Sequence, residues 1–207
     1  MFKDNSIEQY NNLLASKAAT PGGGSALPIV ATYACSLAEM AANVTLSKYG
    51  EDYDYAEQLH SAVKLLQMSK NKLYMLADDD SAAFDNIIAA MRLPKETEQQ
   101  VTERKAALQK QYHKGALVPL EVMQLCRRAL DCVEKAMPYM YKYVASDAVI
   151  GASLLKSVIV NSKHNVEANT SLIADDNLRQ RLEKEADFAM QGIWRYNIDM
   201  RCSIKEH

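Results

Sequence analysis

From Ser25 to Ser47 the sequence reads as a helix that is apolar on nearly every side and built from small residues, with Ala31, Ala34, Ala38, Ala41 and Ala42 along it. A helix without a polar face belongs in the centre of a bundle, where small side chains let neighbouring backbones approach. The rest of the chain agrees with an all-α, multi-helix bundle. Strand-like alternation is missing, helix formers dominate, and 207 residues hold only 7 glycines and 5 prolines. The polar exceptions in this helix, Ser36, Glu39, Asn43 and Ser47, recur at helical spacing on one side, which is expected to face a polar cavity.

The helix is preceded by Thr20-Pro21-Gly22-Gly23-Gly24-Ser25, which holds three of the seven glycines. Such a turn is expected to use backbone conformations closed to residues with a Cβ. Ser25 reads as the N-cap of the helix that follows, with Pro28 tolerated in its first turn. Free backbone N–H groups at the positive end of a helix suit an anionic group. On glycine content alone, a tight connector is the commoner meaning of such a turn.

A short helix is expected over 7–16 and a long one over 54–91. In the long helix Leu59, Ala62, Leu66, Leu73, Leu76, Ala83 and Ile87 mark an apolar stripe in steps of three and four. The same steps place Ser69 and Asp80 on the stripe, with Asp78 and Asp79 on flanking faces. A carboxylate in that position must be paired, hydrated by a cavity, or used chemically. Arg92-Leu93-Pro94-Lys95 breaks the helix and a further one runs from Glu96-Thr97-Glu98 towards His113. Pro119 is expected to open a separate helix through Ala136, and Pro138 with the Tyr139 to Tyr143 cluster to mark the next connection. Ser146 reads as a cap with Asp147 beside it at a helix start. Leu154, Val158, Asn161, Asn165 and Asn169 then fall near one face, and a mixed-charge helix from about Asn177 is expected to lie outside. No domain boundary interrupts residues 1–207.

Composition limits the function. A net charge of -2, from 24 Lys and Arg against 26 Asp and Glu, carries no nucleic-acid signature. Cys35, Cys126, Cys132 and Cys202 form no CxxC pair and no secretory leader precedes them, so a cytoplasmic location is expected. The longest apolar run, Ala26 to Ala38, is shorter than a membrane span requires, and no membrane association is expected. Glu57-x-x-His60 has the spacing of a di-iron ligand pair, but the further ligands of such a site are missing and no metal is expected. No Gly-Lys-Ser/Thr follows the glycines, so the turn is not a nucleotide-binding P-loop.

Seven stretches occur in one order and together carry a resemblance: Thr20 to Ser25, Ala38 to Thr45, Asp78 to Phe84, Leu93-Pro94-Lys95, Val118-Pro119-Leu120, Ser146-Asp147, and Asn165 to Asn169. The chain resembles the cyclodeaminase/cyclohydrolase family of folate enzymes, whose helical domain ends formiminotransferase-cyclodeaminase and also occurs alone. The resemblance implies an all-helical homodimer with a cleft at the subunit interface, acting on a reduced folate and using no cofactor beyond that substrate. It implies cyclodeamination of 5-formimino-tetrahydrofolate to the 5,10-methenyl compound, or hydrolysis of the methenyl compound to 10-formyl-tetrahydrofolate. Asp80 is then the expected principal acid or base, with Glu39 and Asp147 next. Asn43 and Asn165 are expected to orient the pterin. Lys48 and Lys95, with the N–H groups of Gly22, Gly23, Gly24 and Ser25, are expected to meet the substrate's carboxylates. The sequence departs from the family at Leu27-Pro28, at Ser47-Lys48-Tyr49 and at Tyr143-Val144. Those departures keep an alternative open: a catalytically silent helical dimer that binds a ligand or acts as a scaffold.

Overall fold

The computed structural model describes residues 1–193. After a short 3-10 turn at Phe2–Asp4, six α-helices follow: α1 (Ile7–Leu14), α2 (Gly23–Tyr49), α3 (Ala56–Met91), α4 (Glu98–Ala136), α5 (Ala145–Thr170) and α6 (Asp176–Met190). The described residues include no strand. The expected Cys202 lies outside them.

The four long helices form a ring in which each packs on the next, α2 on α3, α3 on α4, α4 on α5, and α5 back on α2. Neighbours run antiparallel: Glu39 of α2 meets Lys70 of α3, and Gly24 near the start of α2 meets Asp80 further along α3. Leu59, Leu66, Leu73, Met123, Leu130, Leu155 and Ile159 fill the centre with almost no exposure. The apolar stripe of α3 thus faces inward, and Ser69 is buried on it. Gly151 of α5 makes the closest approach to α2, since a Cβ there would lie 2.6 Å from the Ala34 carbonyl oxygen. The alanines of α2 permit this contact.

α1 is held by a capping box in which Ser6 Oγ accepts from Gln9 N at 3.1 Å and Gln9 Oε1 accepts from Ser6 N at 2.8 Å. α6 packs outside against α4 and α5 through Leu182, Ala186 and Ala189, with its charged side outward.

Several local expectations change. α2 starts three residues earlier than a cap at Ser25 implies: Gly22 is the N-cap, and Ser25 is fully buried, its hydroxyl donating to the Gly22 carbonyl at 3.1 Å. Pro28 therefore lies beyond the first turn. None of Gly22, Gly23 and Gly24 has positive φ, a conformation confined among the described glycines to Gly50 and Gly192. The first turn of α2 needs glycine for space instead. Pro119 does not open a helix; α4 runs through it. A proline inside a helix costs about 3 kcal/mol. Here the buried residues Tyr112, Ala116, Leu120 and Met123 continue one packed stripe across the proline, and burial against α3 and α5 outweighs that cost. α5 begins at Ala145 after Val144, without a side-chain cap, so Ser146 is not the cap. α2 as a whole is long and apolar enough to cross a bilayer, which the Ala26–Ala38 run alone is not, yet it lies packed between α3 and α5.

Candidate active site

Asp80 comes to its position through the α3 stripe. Leu76 and Ala77, a turn before it, and Leu73, two turns before it, are buried in the core, and Ile87 is buried two turns later. Asp80 itself points at the first turn of α2. A Cβ on Gly24 would fall on its carboxyl group, within 2.5 Å of Asp80 Cγ, so glycine is required there for the acid to fit. Burial pushes the Asp80 carboxyl up from its ordinary 3.8 to about 6. Among the described residues it has neither a hydrogen bond nor an ion pair. Asp78 and Asp79 occupy flanking positions, Asp78 accepting a hydrogen bond from the Phe2 amide at 2.9 Å.

Asp80 borders a cavity of about 240 Å³ at one end of the bundle. Its walls are Thr20 and Gly22 to Gly24 at the start of α2; Ala83, Phe84 and Ile87 of α3; Gly115 of α4; and Asn165, Ala168 and Asn169 of α5. Gly115 is a second seat cut for a polar side chain, because a Cβ there would lie 2.9 Å from Asn169 Oδ1. Asn169 Nδ2 donates to the Asn165 carbonyl at 2.9 Å. Both glycines stand four residues before a proline inside their helix, Gly24 before Pro28 and Gly115 before Pro119. A proline has no N–H to give the carbonyl four residues earlier, so the Gly24 and Gly115 carbonyl oxygens lose their helical donor.

Of the residues expected from sequence, the cavity brings together Gly22, Gly23, Gly24, Asp80 and Asn165. Ser25 belongs to the same turn but points into the protein. The others lie elsewhere in the chain. Glu39 is buried and held by Lys70 at 2.6 Å and Gln67 at 2.9 Å, and its polar stripe runs along α3 and out to solvent at Asn43 and Ser47 instead of into this cavity. Asp147 is half-buried in the first turn of α5. Lys48 ends α2, with Nζ 5.8 Å from the Tyr141 ring centroid. Lys95 is exposed in the α3–α4 connection. Sequence reasoning gave no role to Gly115 and none to Asn169, although Asn169 had been placed on one face with Asn165. A glycine four residues before a helical proline is the signal that would have found Gly115.

Among the described residues no three His, Cys, Asp or Glu side chains gather as metal ligands. His60 instead lies 2.9 Å from Glu51. The cavity offers a carboxyl group near neutrality, an amide fixed by its neighbour, and backbone groups at a helix start. That set can move a proton and orient a small polar group.

The sequence matches the Formiminotransferase-cyclodeaminase family over residues 6–188. It is 28% identical over 190 residues to a methenyltetrahydrofolate cyclohydrolase of Methylorubrum extorquens, covering 90% of this chain and 89% of the relative. It is 23% identical to a formimidoyltransferase-cyclodeaminase of Rattus norvegicus over 91% of this chain, but spans only 35% of that longer protein. The fold superposes on the crystal structure of a formiminotetrahydrofolate cyclodeaminase from Thermotoga maritima with a TM-score of 0.81, at 26% identity and 94% coverage of both chains. With the family's motifs supplying the walls around Asp80, the chain belongs to the formiminotransferase-cyclodeaminase family.

Proposed function

We propose that this protein is a folate one-carbon enzyme, acting on 5-formimino- or 5,10-methenyl-tetrahydrofolate, with Asp80 as the acid–base group. One observation carries the reading: a carboxyl group raised to about 6, without a partner among the described residues, facing a cavity beside a glycine, Gly24, that makes room for it. Both substrates already carry an electrophilic carbon, so the protein needs to position groups and move a proton. In cyclodeamination N10 attacks the formimino carbon, Asp80 takes the N10 proton and hands it to the departing nitrogen, and ammonia leaves as the C–N bond breaks. In hydrolysis water attacks the methenyl carbon, Asp80 takes one water proton and hands it to N5 as the C–N5 bond opens, and the remaining hydroxyl proton passes to solvent as the formyl C=O forms. A pKa near 6 leaves Asp80 mostly ionised at neutral pH, ready to accept either proton.

A silent scaffold has no use for an unpaired, desolvated carboxyl group, which weighs against that alternative. The enzyme reading includes a homodimer in the cytoplasm that needs no cofactor beyond the folate. In it Lys48 and Lys95 meet the substrate's carboxylates at the rim of an interface cleft, and Glu39, Asp147 and Asn43 lie along that cleft. The test is purified protein mixed with each folate, followed by near-ultraviolet absorbance of the methenyl chromophore. Turnover of one substrate is expected, and Asp80→Asn is expected to abolish it while the far-ultraviolet circular dichroism stays unchanged. No acceleration over buffer with either folate refutes the enzyme reading; a fully active Asp80→Asn removes Asp80 from the mechanism.

A further inference from the structure

Asn169 faces the same cavity as Asp80, and its orientation is fixed by chemistry. The Asn165 carbonyl can only accept, so the amide that meets it at 2.9 Å must present its NH₂ group. The amide oxygen is then left on the other side, seated over Gly115 where a Cβ would approach to 2.9 Å. That oxygen lies on the cavity wall as an acceptor, and Asp80 in its ionised form is another. The cavity holds roughly eight water molecules' volume, so a group bound in it meets both walls.

We propose that Asn169 binds the substrate, its amide oxygen accepting an N–H from the formimino nitrogen, and that Asn169 and Asp80 together select 5-formimino- over 5,10-methenyl-tetrahydrofolate. The inference rests on the folate reading above. The formimino group is a protonated amidine with N–H donors on the nitrogen that will leave; the methenyl bridge carries no N–H at the reacting carbon. An acceptor on the same cavity as the proton-moving carboxylate therefore has an N–H partner in the first substrate alone. As N10 bonds to the formimino carbon and Asp80 passes the N10 proton to the exocyclic nitrogen, that nitrogen becomes an ammonium group. The Asn169 oxygen holds it until the C–N bond breaks and ammonia departs. Asn169 is half-buried, so with the methenyl substrate its oxygen meets water, and the substrate gains nothing from it. Gly115 is a positioning residue, acting only by leaving room for the Asn169 amide.

The experiment measures kcat and KM for both folates with the wild type, Asn169→Ala, Asn169→Asp, Gly115→Ala and the Gly115→Ala/Asn169→Ala double variant. The wild type is expected to turn over the formimino substrate in preference to the methenyl one. Asn169→Ala is expected to lower kcat/KM for the formimino substrate by about tenfold or more, and any methenyl hydrolysis by clearly less. Asn169→Asp retains an acceptor and is expected to recover part of the loss. Gly115→Ala is expected to reproduce the Asn169→Ala defect, yet to add nothing in the Asn169→Ala background. Thermal midpoints identify a variant that simply fails to fold, and Asn169→Leu, of similar size and without an acceptor, then serves in place of Asn169→Ala. Preference for the methenyl substrate, or equal losses on both substrates in Asn169→Ala, overturns the inference and leaves the folate reading standing. No turnover of either substrate by the wild type overturns both.

Discussion

Asp80 is a residue whose placement opposes stability. Its carboxyl titrates near 6 in the folded protein against an ordinary 3.8, because burial disfavours the charged form. The folded state therefore holds this proton more tightly than the unfolded chain does. The resulting stabilisation is complete below about pH 4 and is lost as pH rises through 6, above which the fold carries a desolvated carboxylate. Asn has no such proton to lose. The Asp80→Asn variant is thus expected to gain stability relative to the wild type between pH 4 and pH 7, by roughly 2 kcal/mol at most. Urea midpoints of both proteins at those two pH values check this, and a constant difference across the range excludes a raised Asp80 pKa. This residue was legible in the sequence because the α3 stripe has a period, and a carboxylate at a stripe position must face inward. Asn169 and Gly115 were not legible as a pair. Nothing in local spacing says that a glycine in one helix leaves room for an amide in another.

At the scale of elements, the small-residue helix α2 takes one place in the ring of four long helices instead of the expected centre, burying its alanines against α3 and α5 while Tyr33, Met40 and Val44 stay exposed, and its contact with α5 shows why the residues are small. Gly151 brings the α5 backbone so close that a Cβ would stand 2.6 Å from the Ala34 carbonyl. The helices must separate to admit even alanine, and neither partner is a flexible side chain. Gly151→Ala is expected to destabilise by about 1–3 kcal/mol, although alanine is the better helix former. Thermal unfolding reads this directly, and an unchanged or raised midpoint shows that the α2–α5 crossing yields without loss. Helix ends were less legible than helix faces. Pro119 reads locally as a start and Ser146 as a cap, but α4 is held through its proline by the residues it buries, and α5 begins without any side-chain cap. Ser25 was misplaced for a related reason: with Gly22 taking the cap position, its hydroxyl is free to turn inward.

For the whole molecule, the bundle leaves an apolar face uncovered. On α2, Tyr33, Met40 and Val44 share one side at steps of seven and four, and are exposed by 48%, 38% and 37%. The neighbouring α3 exposes Met68 by 64% and Met75 by 50%. Large exposed residues are ordinary when scattered, but aligned on the most apolar helix of the chain they favour burial against another surface. A second copy meets this need symmetrically, since a two-fold interface sets the same patch against itself. The wild type is expected to sediment as a dimer, whereas Met40→Glu with Val44→Glu is expected to sediment as a monomer. Because neither side chain belongs to the core, the monomer should retain its helical circular dichroism. If activity depends on a cleft between copies, the monomer should also lose turnover while Asp80 still titrates near 6. A monomeric wild type, or a double variant that stays dimeric, moves the interface away from this face. Full activity in the monomer instead confines the chemistry to the cavity within one chain.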